Sequence, residues 1–203
     1  KSSLQLGRVM TLGIDVQPAP KTYDITCETL IIGAGACGMV AALSAAESGQ
    51  EVLVVEADAV PSGSTALSAG LIPAAGTAAQ RAAGIDDTAA LFARDVQAKA
   101  KGENDQDVVD HITDQAAEVI DWLANTHGLP FSVVTDFDYP GHSRRRMHGL
   151  PTRSGAELID ALRGAALIAM TVYHFTWDLE FFGWILPGTI KETGWVIFAR
   201  SIA

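Results

Sequence analysis

Cysteine is almost absent from this 203-residue chain, which has only Cys27 and Cys37. Two thiols cannot build a disulfide framework, so the fold has to rest on a packed core, and a reducing, cytoplasmic setting is expected. Basic residues are scarce too. Fourteen Lys and Arg stand against 24 Asp and Glu, for a net charge of −10 and a pI near 4.8. Nucleic-acid phosphates bind basic surfaces, so nucleic acid is excluded as a partner. His, Cys and carboxylate residues nowhere fall at metal-ligand spacing, and no Ser-His-Asp arrangement is evident, so no metal is expected. The chain opens on Lys1 with no signal-peptide pattern, and Met10 offers a second start. A processed chain or a fragment is expected, with residues 1–26 an extended lead-in marked by Pro18 and Pro20.

What the chain has is glycine, 19 residues of it. From Glu28 to Glu56 it reads as an apolar run (Leu30 to Ile32), then Gly33-x-Gly35-x-x-Gly38. A helix-like segment with small residues follows, closed by Gly49, then a second apolar run (Val52 to Val55) and an acid. That order suits a β-α-β unit binding a dinucleotide. Gly33 permits the tight turn, Gly35 lets backbone approach a pyrophosphate, and Gly38 lets helix lie close to strand. The pyrophosphate would sit on the free amides of the helix N-terminus, where the peptide dipoles favour negative charge. Glu56 is placed to accept hydrogen bonds from a ribose, and an acid there favours NAD or FAD over NADP. Beside this turn a redox role for Cys37 is conceivable on chemical grounds, but a small buried filler is the simpler reading.

A second small-residue loop follows, Ser62-Gly63-Ser64-Thr65-Ala66-Leu67-Ser68-Ala69-Gly70-Leu71-Ile72-Pro73. Hydroxyls and glycines let a backbone lie against a diphosphate or a flat ring. Together the glycine turn, Glu56 and this loop resemble the N-terminal FAD-binding part of the fumarate reductase and succinate dehydrogenase flavoproteins, a group that includes 3-ketosteroid dehydrogenases. Ser62 replaces the first glycine of the family's usual Gly-Gly-Asn/Ser-Ser/Thr. The resemblance implies FAD as cofactor, with Gly33, Gly35, Ala36 and Gly38 along its diphosphate. It puts Glu56 and Ala57 at the adenosine ribose, and Ser64, Thr65, Ser68, Ala69 and Gly70 along the diphosphate and flavin. It also implies hydride transfer at flavin N5 to or from a small substrate such as a dicarboxylate or a steroid. The family's cap domain and its catalytic arginine find no counterpart in this sequence, so the catalytic residues are unknown and little turnover is expected from this chain alone.

Two helices are expected next. Asp86-Asp87-Thr88 can cap one running to Lys101, closed by Gly102. Asn104 or Asp105 can cap another with an apolar stripe of Val108, Ile112, Ala116, Val119, Ile120 and Leu123, running to Gly128, with His111 at the surface. Phe131 to Val134 is a short strand candidate. The segment from Tyr139 to Gly149 holds Arg144, Arg145 and Arg146 between His142 and His148, the most basic spot in the chain. Such a cluster can neutralise an anionic substrate, or it is a solvated turn. Similar His-Ser-x-x-Arg-x-His segments occur in the fumarate-reductase-like flavoproteins, which makes His142, Arg146 and His148 substrate-side candidates. Ser154-Gly155-Ala156-Glu157 reads as a capping box opening a helix.

Beyond it the composition changes, and three of the four tryptophans lie in the last 30 residues. Gly164 to Leu186 is a stretch of 23 residues charged only at Asp178 and Glu180, with Pro187 after it. As a helix it would be ~35 Å long, enough to span a membrane, whereas residues 164–177 alone would reach only ~21 Å, so an interfacial or buried helix is the alternative. Asp160-x-x-Arg163-Gly164, Tyr173-His174-Phe175, Trp177-Asp178-Leu179, Gly194-Trp195 and Phe198-Ala199-Arg200 resemble the start of the membrane proteins related to heparan-alpha-glucosaminide N-acetyltransferase. That implies membrane association through 164–186 and a fusion of two pieces near 157–166. The expected organisation is an α/β chain with a lead-in (1–26), a partial Rossmann-like FAD-binding domain (27–156) and a long apolar helical tail (157–203).

Overall fold

A computed structural model describes residues 25–167 and 182–183. Most of the apolar stretch 164–186, and all of the tail beyond it, lies outside the described residues, as does most of the lead-in. Among the described residues no helix is long and apolar enough to cross a membrane.

The expected β-α-β unit is present. Strand β1 (Thr29–Ile32) pairs in parallel with β2 (Val52–Val55), Thr29 opposite Val52 and Ile32 opposite Val55, with helix α1 (Ala36–Glu47) as the crossover. Met39, Ala42, Leu43 and Ala46 recur at helical spacing on the buried face of α1. Gly49, at φ 81°, ends the helix as expected: its amide donates to the Ala46 carbonyl and that of Gln50 to Ala45. This paired bonding closes the last turn and needs a left-handed residue at Gly49. Among the described residues the sheet has these two strands and nothing packs on the face away from α1, where Leu30 and Ile32 are 54% and 83% exposed.

A second sheet has the order β3-β5-β4, all antiparallel: β3 (Ile72–Pro73), β5 (Met147–Gly149) and β4 (Ser132–Val133). Strand β4 matches the expected one. Strand β5 was hidden in the basic segment, because a three-residue strand is too short for alternation to reveal.

Helix α2 (Ala78–Ala82) opens with an unanticipated capping box. The Thr77 hydroxyl accepts from the Gln80 amide, and the Gln80 side chain accepts from Thr77 in return. Helices α3 (Ala89–Lys99) and α4 (Gln106–Asn125) are capped by Thr88 and Asp105, as the sequence suggests. The apolar stripe of α4 needs correcting in its first half. Val109 and Thr113 are buried, while Val108 and Ile112 face outward and, with Phe92 and Val96, line a groove of about 300 Å³. His111 is exposed.

A fifth helix, α5, occupies 155–167. Its opening is only half a capping box. Ser154 Oγ accepts from the Glu157 amide, but the Glu157 carboxylate turns back to the amide and hydroxyl of Thr152. Leu158 and Leu162 of α5 join Ala34, Met39, Leu43, Leu123, Leu129 and Leu150 in one apolar core shared by α1, α4 and α5. Across it, Trp122 Nε1 donates to the Glu47 carboxylate at 3.0 Å.

The second sheet is tied to the helices by a buried polar network. Arg146 and His148 are both 0% exposed. The Arg146 guanidinium makes two 2.9 Å bonds to Asp87, donates to Asp95, and lies 4.8 Å from the Phe92 ring centre. Burial disfavours the Asp95 charge, but hydrogen bonds from the Ser143 amide and hydroxyl and from Arg146 outweigh it and hold the carboxyl below its ordinary range. Gln80 donates to Asp87 and to the Arg145 carbonyl while accepting from Gly76. His148 Nδ1 donates to the Arg146 carbonyl at 2.9 Å, so in the neutral ring Nε2 accepts from the Thr77 hydroxyl at 2.7 Å. Burial pushes the His148 pKa down, which keeps that ring neutral.

Removing one partner from a buried ion pair strands the other charge, so Asp87→Ala is expected to cost about 3–5 kcal/mol, read as a lower urea midpoint. A depressed histidine pKa contributes stability that is complete above the unfolded value of about 6.5 and is lost as pH falls from there through the folded value. Urea titrations between pH 8 and pH 5 should show stability declining below that point, and His148→Gln should reduce the decline.

Candidate functional site

The site is built where β1 runs into α1. Gly33 has φ 104°, a conformation that side chains rarely adopt, and its amide donates to the Val55 carbonyl at 2.7 Å. A Cβ on Gly38 would overlap the carbonyl oxygen of Gly33, so only glycine allows the helix to lie this close to the turn. Gly35 is the N-cap of α1 and has no side chain to offer its amides. Cys37 is exposed in the first turn rather than buried, which corrects the filler role expected for it.

Two side chains converge on this turn from later in the chain. Glu56, just past β2, accepts from the Ala34 amide at 2.7 Å through Oε2, and from Ala57 and Asp58 at 2.8 and 3.3 Å through Oε1. The Ala34 amide above all, then Asp58, holds its carboxyl below the usual range. An ionised acceptor therefore stands at the end of β2, beside the glycine turn. The second side chain is Thr65, whose Oγ1 accepts from the Ala36 amide at 3.2 Å in the first turn of α1.

Around Thr65 the second glycine loop is closely bonded. Both the amide and the hydroxyl of Ser68 donate to the Thr65 carbonyl, at 3.0 and 2.7 Å, and the Ser68 hydroxyl accepts from Gly70 at 3.0 Å. Ser64 and Ala69 are exposed beside them. Helix α5 holds the loop from behind, its first amide, Gly155, donating to the Ser68 carbonyl at 2.9 Å. Sequence reasoning assigned no contact to Gly155, since nothing local shows that a glycine faces the backbone of Thr65, far back in the chain.

The structure thus gathers Gly33, Gly35, Ala36, Gly38, Glu56, Ala57, Thr65 and Ser68 at one end of the β1–β2 sheet. His142, Arg146 and His148 stand apart in the chain's other half. Arg146 and His148 are sealed in the network described above, where neither has a free face to offer a substrate. His142 is half-buried between the rings of Phe92 and Tyr139, and its Nδ1 has no partner among the described residues. Burial, then the Arg146 charge, pushes its pKa down. It lines a hollow of about 520 Å³ with Arg144 and Arg145, where Asp138 pairs with Arg145. Among the described residues no group of His, Cys, Asp and Glu could hold a metal ion.

Chemically, the gathered residues fit the diphosphate and ribose of a dinucleotide. A neutral oxygen, that of Thr65, sits on a helix N-terminal amide where a phosphate oxygen would be received, and at Gly33 no atom of the described residues beyond its chain neighbours stands within 4 Å of where a Cβ would lie.

Comparison with known proteins gives the same reading. Residues 28–180 match the family described as FAD binding domain. The match continues past 157–166, where the second resemblance had implied a join, and takes in most of the apolar stretch. The chain is 32% identical over 145 residues to a probable fumarate reductase, Ifc3, of Shewanella frigidimarina, covering 70% of this chain and 24% of that protein. It is 30% identical over 128 residues to the urocanate reductase of Eggerthella lenta, covering 63% and 21%. The open conformation of a flavocytochrome c3 fumarate reductase superposes with a TM-score of 0.60 at 31% identity, covering 69% of this chain and 25% of that one. The chain therefore spans about a quarter of the length of these relatives, and it belongs to the FAD-binding domain family of the fumarate reductase and succinate dehydrogenase type.

Proposed function

We propose that this chain forms the adenosine and diphosphate end of the FAD site of an oxidoreductase that reduces or desaturates a small organic substrate. FAD, when bound, supplies hydride transfer, and the residues of this chain supply its seat. Gly33, Gly35, Ala36 and Gly38 line the diphosphate, and Glu56 with Ala57 takes the ribose hydroxyls. Ser64, Thr65, Ser68, Ala69 and Gly70 run along the diphosphate toward the flavin. The single observation that carries this is the Thr65 hydroxyl on the Ala36 amide, because it brings the second glycine loop onto the first at the helix N-terminus, where the negative charge of a diphosphate is stabilised.

The substrate class follows from relatives named for fumarate and urocanate, both unsaturated acids. Of the basic segment, His142 is the residue we retain on the substrate side, since its Nδ1 is unpartnered beside two arginines. The other reading, a membrane-anchored fragment of an acyltransferase-like protein, rests on residues 157–203 alone. Assignment of the stretch up to residue 180 to the flavoprotein family weighs against it.

Purified protein should be yellow, with a flavin band near roughly 450 nm, and a colourless preparation that takes up no added FAD would sink the proposal. Gly38→Ala should abolish FAD uptake, because the added methyl forces the Gly33 turn open. Glu56→Gln keeps the shape but loses the charged acceptor, so FAD should bind about tenfold more weakly in a fluorescence titration.

A further inference from the structure

Helix α5 touches the second glycine loop with backbone alone. A Cβ on Gly155 would overlap the Thr65 carbonyl oxygen and stand 2.7 Å from Ser68 Oγ. On the other side, a Cβ on Gly70, whose φ is 60°, would stand 2.6 Å from the Ser154 carbonyl oxygen. Both glycines are buried. Two segments far apart in the chain therefore meet where neither can carry a side chain, and one hydrogen bond, Gly155 amide to Ser68 carbonyl, joins them. From there the bonding runs on without a gap. Ser68 donates twice to the Thr65 carbonyl, and the Thr65 hydroxyl accepts from Ala36 at the head of α1. Behind the contact, α5 is anchored by Leu158, Ile159 and Leu162, all fully buried.

We infer that Gly155 is a positioning residue for the cofactor loop: the first turn of α5 is a brace that sets how far Thr65 to Gly70 stand from the α1 N-terminus. This rests on the FAD reading above and adds to it a residue that touches no cofactor atom. A methyl group at 155 has to move either the loop or the helix. The helix is held by three core side chains and the loop by hydrogen bonds at the surface, so the loop yields. Thr65 then leaves Ala36, and the part of the seat nearest the flavin is lost, while the ribose end at Glu56 stays intact.

The test compares Gly155→Ala with Gly164→Ala in the full chain. Gly164 lies on the same helix with none of the described residues within 4 Å of its missing Cβ, so it controls for the helix-favouring effect of alanine. Gly155→Ala is expected to weaken FAD binding by about tenfold or more, while AMP, which lacks the flavin half, binds within about twofold of the parent. Hydrogen exchange in the ligand-free protein should accelerate in residues 62–71 and 34–38 and not in α4. The control should change none of these. Unchanged FAD affinity together with unchanged exchange in 62–71 would overturn the inference, as would equal weakening of FAD and AMP. Should Gly155→Ala fail to fold, Ser68→Ala removes the hydroxyl between Thr65 and Gly70, and it must show the same selective pattern or the brace is refuted. A parent protein that binds no FAD would instead refute the FAD reading, and the exchange data would still decide whether α5 holds the loop.

Discussion

The closeness of Gly38 to the Gly33 carbonyl is the constraint on which the rest of the molecule depends. Because nothing stands between helix and turn, α1 can lie on β1 with Met39 and Leu43 in the core and its N-terminal amides at the end of the sheet. Those amides are the reason that later segments converge there. Glu56 bonds to Ala34 from the end of β2, Thr65 bonds to Ala36 from the second loop, and α5 closes on that loop through Gly155. Unpaired backbone N–H groups at a helix start are costly to bury and attractive to any acceptor. Thr65 meets part of that demand at Ala36, and a diphosphate can meet it with more charge.

The other half of the described chain is organised around a charge rather than a turn. Strands of two and three residues have too few ladder bonds to hold themselves together. Arg146 compensates by reaching from the start of β5 to carboxylates on both sides of the α3 N-terminus, while Gln80 and Thr77 attach α2 to the same point. A buried ion pair contributes little net stability once desolvation is counted, but a broken one is expensive. The network therefore acts against alternatives. Any other register of β5 would strand the Arg146 guanidinium and the His148 imidazole and take from Asp87 and Asp95 their charged partner.

Two apolar surfaces remain uncovered among the described residues. One is the face of β1 carrying Leu30 and Ile32, and the other is the outward side of α4 with Val108 and Ile112. A two-stranded parallel sheet with one bare face is unusual, since parallel sheets are normally covered on both sides. That geometry agrees with a chain spanning about a quarter of its relatives' length, and it explains why the α4 stripe misleads. Helical periodicity locates apolar positions but cannot tell which of two adjacent rows faces the core.

Residues alone determined the β-α-β unit, because each of its parts is a local demand. A left-handed turn, a small contact surface, a helix stop and an acid at a strand end all have sequence signatures within a few residues of where they act. The caps of α3 and α4 were legible to within a short run of candidates for the same reason, and so was the family, whose two glycine loops lie close together in the chain. Only the tertiary structure showed that Arg146 and His148 are buried in a polar network. Their residue types suit a substrate site and a buried network equally well, and burial, which separates the two, depends on helices up to 70 residues away. Gly155 was decided in the same way: a glycine required by a distant carbonyl leaves no local trace, since what it lacks is room and not a partner.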